Sequence, residues 1–169
     1  YSGGMLGDEK KAKMEESHSD GSLMKDKITI NTDRTEYGDG RAEIFDLGLF
    51  DAKGNLTNLL LKGEMFTIKE RIRFHAPIKC PIFTYTIRDK KGTDLTGTNT
   101  MYEGCDIKPV GDGDVYDVSF TQKMTLQGGE YLLSMSCTGF EGEEHVVYHR
   151  LYNIANLTVI SNKNTVGVY

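Results

Sequence analysis

Tryptophan is absent from the 169 residues, proline occurs three times and cysteine three times. Each shortage excludes something. Cys80, Cys105 and Cys137 stand too far apart for a zinc motif, and their odd number argues against a secreted disulfide framework. No run of 18 apolar residues occurs, so no helix here has the length and polarity to span a bilayer. Positive charge is not in excess: the net charge is −5, which disfavours nucleic acid or an anionic membrane as the main partner. No Gly-x-x-x-x-Gly-Lys-Ser/Thr loop is present, nor any Ser/His/Asp or Cys/His arrangement. The residues therefore point to no catalytic group, no metal site and no cofactor.

Glycine, at 19 residues, and tyrosine, at nine, are plentiful. The glycines fall at turns between short runs of alternating polarity. Ile82 to Arg88 puts Phe83, Tyr85 and Ile87 on one face and Thr84, Thr86 and Arg88 on the other, the period-two signature of a half-buried strand. Asp89-Lys90-Lys91-Gly92 reads as a turn into a second short strand from Thr93 to Thr100. Phe66, Ile68, Ile72 and Phe74 alternate with Thr67, Lys69, Arg71, Arg73 and His75. Val118 and Phe120 mark another strand, and Leu133 and Met135 one more. All eleven apolar residues named in these four strands are expected in the core. Ala42 to Phe50 does not alternate cleanly, which suggests a β-bulge or burial on both faces. Lys27 to Ile30 is expected to open the folded domain. His145 to Ile160 is expected to hold two strands broken near Asn153 to Asn156, and Thr165 to Tyr169 a short last one. About eight or nine strands with no helix indicate an all-β antiparallel sandwich, immunoglobulin-like or jelly-roll, over residues 25–169. Residues 1–24, glycine-rich and then densely charged with both signs, read as a largely disordered linker. Tyr1 is not an initiator methionine, so the chain is expected to be part of a longer protein.

Four pieces in this order carry a resemblance. They are Tyr37-Gly38-Asp39-Gly40-Arg41-Ala42-Glu43-Ile44, then Lys62-Gly63-Glu64 before the basic-faced strand. Ile87-Arg88-Asp89 with Gly92 and Gly97-Thr98-Asn99-Thr100 follows, and Leu126 with Gly129-Glu130-Tyr131-Leu132-Leu133 is last. From about Ile28 to Tyr169 the chain resembles the C-terminal polysaccharide-binding domain of Wzt-like ATPase subunits of O-antigen ABC transporters. The resemblance implies a non-catalytic domain at the cytoplasmic face of the inner membrane, joined to a nucleotide-binding domain and through it to the permease. It implies recognition of a lipid-linked glycan, and a homodimer formed in some members by exchange of the last strand. Thr165 to Tyr169 is the segment that would exchange here.

Sugar hydroxyls suit Arg, Asn, Asp and Tyr, and a pyranose C–H edge packs on an aromatic face. Tyr148, Arg150 and Tyr152 fall on one face of a predicted strand, and which face of it is core stays open. Arg71, Arg73 and Arg88, with Thr84 and Thr86, are expected on the outer surface around Phe74 and Tyr85, where an anionic glycan would suit them. His145 and His149 share a strand face about 13 Å apart at ~3.3 Å per residue, too far for one metal ion. Asp39, Asp112 and Asp114 fit turn chemistry better than a calcium loop. A structural or adhesive immunoglobulin-like domain of a surface protein, with no glycan role, remains the second reading. A carbohydrate-active enzyme is a third.

Overall fold

A computed structural model describes residues 10–17, 23–32 and 34–161. Among the described residues ten strands are formed, most of them with one face turned to a shared core. They are β1 (Lys10–Glu16), β2 (Thr35–Tyr37), β3 (Ala42–Phe50), β4 (Leu59–Leu61), β5 (Met65–Phe74), β6 (Ile82–Arg88), β7 (Asp94–Asn99), β8 (Val115–Lys123), β9 (Gly129–Glu141) and β10 (Glu144–Ile160). A 3₁₀ turn, Met24–Lys27, precedes β2. One sheet has the order β1-β8-β5-β3, the other β2-β10-β9-β6-β7 with β4 also on β10. Among the described residues every strand pair is antiparallel except β4 with β10. The fold is thus the all-β antiparallel sandwich that the alternation predicts.

The core is the expected one. Phe66, Ile68, Ile72, Phe74, Phe83, Tyr85, Ile87, Val118, Phe120, Leu133 and Met135 are all buried, none more than 2% exposed. Edge-on aromatic pairs join the sheets, Phe74 with Phe83 at 6.2 Å and Tyr85 with Phe120 at 5.1 Å between ring centres. The same alternation carries a carboxyl inward. Glu70 stands between Ile68 and Ile72 on β5, opposite Leu47 and Val118, fully buried.

Three expectations change, and two further strands are found. Residues 10–16 are a strand and not linker: β1 pairs with β8 along its whole length, and Met14 enters the core beside Val118. An edge strand needs only one apolar side, so Ala12 and Met14 suffice among five charged neighbours. Lys27 to Ile30 is not a strand: Lys27 ends the 3₁₀ turn, and the residues after it make one bridge, Ile30 to Ala155. Residues 144–160 form one strand, not two, with register shifts at Val147/His149 and Leu151/Ala155. β2 and β4, unannounced by alternation, cover successive stretches of the β10 edge, with Ile30 between them. That shields backbone groups which an open edge would leave exposed. The expected bulge in β3 lies at Phe45, where the register slips between Ile44 and Asp46. The expected last strand, Thr165 to Tyr169, lies outside the described residues.

The 3₁₀ turn is docked on the smaller sheet. The Asp46 carboxylate accepts the N–H groups of Met24, Lys25 and Leu47, each at 2.9 Å, and Arg71 at 3.0 Å. Arg71 also donates to Asp117 at 2.9 Å. Such a buried carboxylate is stable only because donors surround it.

Candidate functional site

Strand parity fixes what the larger sheet shows outward. Because Tyr85 and Ile87 on β6 and Leu133, Met135 and Cys137 on β9 face the core, their neighbours Thr84, Thr86, Ser134 and Ser136 face out. Register places these in rows across the sheet. Arg150, Ser136, Thr84 and Asn99 lie opposite one another in turn, and Ser134, Thr86 and Gly97 form the next row. The floor is therefore made of short hydroxyl side chains, and it is low compared with the arginine and tyrosine side chains beside it. The result is a trough of about 200 Å³ lined by Thr84, Thr86, Ser134, Ser136, Met135 and Tyr152, with Arg88, Asp94 and Arg150 at its sides.

The walls are stacked. The Arg88 guanidinium lies 5.3 Å from the Tyr152 ring centre and that of Arg150 5.8 Å. Arg150 also lies 5.8 Å from the Tyr37 ring and donates to the Tyr37 hydroxyl at 3.0 Å. Tyr37 and Tyr152 are 6.0 Å apart and tilted by 46°. The Arg150 hydrogen bond holds the Tyr37 hydroxyl below its ordinary pKa. Arg88 is fixed by Asp94 at 2.8 Å and by the Gly92 carbonyl at 2.7 Å. Cation–π contact keeps each guanidinium against a ring, and the N–H groups not given to Asp94, Gly92 or Tyr37 remain to meet a ligand.

Beside it, over β7, lies a second hollow of about 340 Å³, which shares Thr84, Thr86 and Asp94 with the trough and adds Leu95, Asn99 and Tyr102. Gly97 allows this shape. It has φ +155, and a Cβ there would sit 2.4 Å from the Tyr85 carbonyl oxygen. Tyr102 is 84% exposed, its backbone N–H held by Asn99 Oδ1 at 2.8 Å.

Irregularities in β10 aim these side chains. Tyr148 is the extra residue where the register slips between Val147 and His149. Its ring lies over Gly139, whose added Cβ would meet the phenol oxygen at 2.8 Å, and belongs to the core. Tyr148 therefore does not share a face with Arg150 and Tyr152, contrary to strict alternation. Arg41 covers it from outside at 4.7 Å. His149 also turns inward, accepting the Ile44 N–H on Nδ1 at 2.8 Å. That leaves the proton on Nε2, which donates to Glu36 at 2.7 Å, so the imidazole ties both sheets to β2. Further along, Asn153 adopts φ 58 and donates its N–H to Ser134 Oγ at 2.9 Å. Its own carbonyl accepts Asn31 Nδ2 at 2.9 Å.

Of the seven expected residues, Thr86, Arg88, Arg150 and Tyr152 line the trough. Arg71 and Arg73 do not. They sit on β5 in the other sheet, because the chain crosses between the sheets from β5 to β6. There Arg71 bridges Asp46 and Asp117, and Arg73 stacks on Phe45 at 4.4 Å. His145 packs edge-on against Phe140 at 5.3 Å. Asp39 pairs with Arg41 at 2.7 Å and Asp114 accepts the Gly111 N–H at 2.8 Å. No three metal-ligating side chains come together among the described residues. Ser134 and Ser136 were missed, though their alternation with Leu133, Met135 and Cys137 places them opposite the core. Asp94, Tyr37 and Tyr102 were missed too; pairing across strands brings in Asp94 and Tyr37, and the turn held by Asn99 brings in Tyr102.

The sequence profile of the Wzt C-terminal domain matches residues 33–169. Among solved structures, the crystal structure of the C-terminal domain of Wzt superimposes with a TM-score of 0.75 at 23% identity, covering 81% of this chain and 84% of that one. Looser likenesses are the CARDB domain of a Pyrococcus furiosus protein (TM-score 0.39, 15% identity, 68% and 88% covered) and the Pseudomonas fluorescens alkylpurine DNA glycosylase AlkC (0.46, 13%, 72% and 31%). No curated protein sequence matches the chain.

Proposed function

Since the chain belongs to the Wzt C-terminal domain family, whose setting is polysaccharide export by ABC transporters, we propose that it is the glycan-binding module of an export ATPase. The module is non-catalytic. It recognises a lipid-linked, O-antigen-like surface polysaccharide in the trough on the larger sheet and so selects the chain for export. Its place is the cytoplasmic face of the membrane, held there through the ATPase domain and the permease. It works as a homodimer, like the ATPase that carries it. The observation that carries this reading is the trough itself: a floor of hydroxyls beside a tyrosine face flanked by two guanidinium groups. Sugars are bound by that combination, with planar donors for the hydroxyls and a ring for the C–H face. Titration calorimetry with the producing cell's surface polysaccharide tests it. Tyr152→Ala is expected to remove binding, and Arg73→Ala, on the opposite sheet, to leave it unchanged. Equal loss in both variants, or binding unaffected by Tyr152→Ala, contradicts the assignment.

A further inference from the structure

We infer that the glycan held in this trough is acidic and that at least two successive sugar residues lie in it, running across the strands from Tyr152 toward Tyr102. The inference rests on the glycan reading and adds the charge and the extent of the ligand.

The charge follows from how the two arginines are partnered. Three charged groups face the trough: Arg150 from β10, Arg88 from β6 and Asp94 from β7. Arg88 and Asp94 pair at 2.8 Å and largely cancel. Arg150 donates to a neutral phenol, Tyr37, and stacks on two rings, with no carboxylate partner among the described residues. A guanidinium fixed by stacking beside serine and threonine hydroxyls is a preformed seat for an oxyanion, which accepts from its N–H edge and from the hydroxyls together. Ser134 fits that role. Its oxygen accepts the Asn153 N–H at 2.9 Å, which leaves its own O–H to donate into the trough. A neutral sugar would meet the same hydroxyls but leave a net positive charge in the hollow uncompensated.

The extent follows from the strand rows. The floor crosses β10, β9, β6 and β7, three strand spacings or about 14 Å at ~4.8 Å each. That exceeds one pyranose ring. The two hollows share Thr84, Thr86 and Asp94 as lining, and Tyr102 lines the far one. A tyrosine that is 84% exposed, on a backbone held by Asn99, is a platform for a second sugar face. The acid group then lies by Arg150 with its ring against Tyr152, and the next residue lies over β7. The acid is a carboxylate or a phosphate, since both accept from the same donors.

The test is an array of bacterial surface polysaccharides, neutral, uronate-bearing and phosphate-bearing. Each acidic one is also printed after carboxyl reduction or dephosphorylation. Binding is expected on acidic glycans and to fall about tenfold or more on removal of the acid, the loss of one charge-assisted contact. Whichever removal abolishes binding identifies the acid. Arg150→Gln is expected to produce the same fall while the protein stays folded, since Arg150 is half-buried outside the core, where its side chain holds Tyr37 and Tyr152. If Arg150→Gln fails to fold, Arg150→Lys, which keeps the charge and loses the fork, is expected to bind with intermediate affinity. Tyr102→Ala is expected to weaken binding of a tetrasaccharide from the bound polymer several-fold and leave its terminal monosaccharide unaffected. Equal binding of neutral and acidic glycans, still abolished by Tyr152→Ala, overturns the acidic ligand while the glycan reading stands. Unchanged tetrasaccharide binding in Tyr102→Ala overturns the second residue. An array with no glycan bound overturns both readings.

Discussion

Replacing Glu70 with methionine should stabilise this protein, and more so as pH rises. Glu70 is fully buried between Ile68 and Ile72, and neither carboxyl oxygen has a hydrogen-bond partner among the described residues. Burial holds its pKa well above the ordinary value. An unpartnered polar group in a protein interior costs about 1–3 kcal/mol. Methionine has similar length and no such group, so a gain of about that size is expected even at pH 5. The second contribution is linkage. The folded form keeps the proton that the unfolded form releases near pH 4.3, a typical glutamate value. With the folded pKa raised, stability is full below that value and is lost as pH climbs, by ~1.4 kcal/mol per pH unit until Glu70 ionises in the fold. Between pH 5 and 7 the gap between Glu70→Met and the parent should thus widen by up to about 3 kcal/mol. Urea unfolding followed by circular dichroism at pH 5, 6 and 7 measures it, with Glu70→Gln as a control that removes the titration but keeps a polar group. A pH-independent gap, or a destabilised Glu70→Met, would refute the reasoning and show that the carboxyl finds a donor inside.

Ile72→Ala should cost about 2–5 kcal/mol in the same unfolding experiment, the usual range for a buried aliphatic truncation; under ~0.5 kcal/mol would put that side chain outside the core. Met14→Ala should cost a similar amount, about 2–5 kcal/mol, because Met14 is 6% exposed in the core cluster. A negligible change, with tryptic cleavage at Lys13 in the native protein, would detach β1 from the sandwich. Asp46→Ala should cost about 3–5 kcal/mol, since it leaves the Met24 and Lys25 N–H groups and Arg71 without their shared acceptor; a loss no larger than that of a surface substitution would contradict the docking of the 3₁₀ turn. Light scattering at tens of micromolar should give a dimer for the intact chain and a monomer for one ending at Ile160. Monomers in both exclude the pairing, and dimers in both exclude exchange of the last segment.

How far residues alone disclosed this molecule depended on whether alternation survived. Along β5, β6, β8 and β9 it does, so the core was readable from Phe66 to Met135. Glu70 obeys the same parity, and only its charge argued against placing it inside. In β10 the parity breaks. One extra residue at Tyr148 turns its ring into the core, and the excursion around Asn153 turns an apparent gap between two strands into a bend in one. β1 was hidden because Lys10, Lys11, Lys13, Glu15 and Glu16 look like a solvated segment, whereas an edge strand buries only every second residue. The grouping of Arg71 and Arg73 with Arg88 failed for a topological reason. Neighbours in sequence across Pro77 and Pro81 belong to opposite sheets. Pairing partners such as Ser134 with Thr86, or Tyr37 with Arg150, are set by register over long sequence separations. A single chain read in order does not display them.

The assignment of the trough is tested most directly by mapping the bound polysaccharide onto backbone amide resonances. Titrating the isotope-labelled protein with the producing cell's surface polysaccharide should shift Thr84, Thr86, Ser134, Ser136, Arg150 and Tyr152, with Tyr102 responding at the far end. Amides on the outer face of β3, β5 and β8, Arg73 among them, should stay still. Shifts centred on that opposite face, or no shifts at all at saturating polysaccharide, would contradict the account.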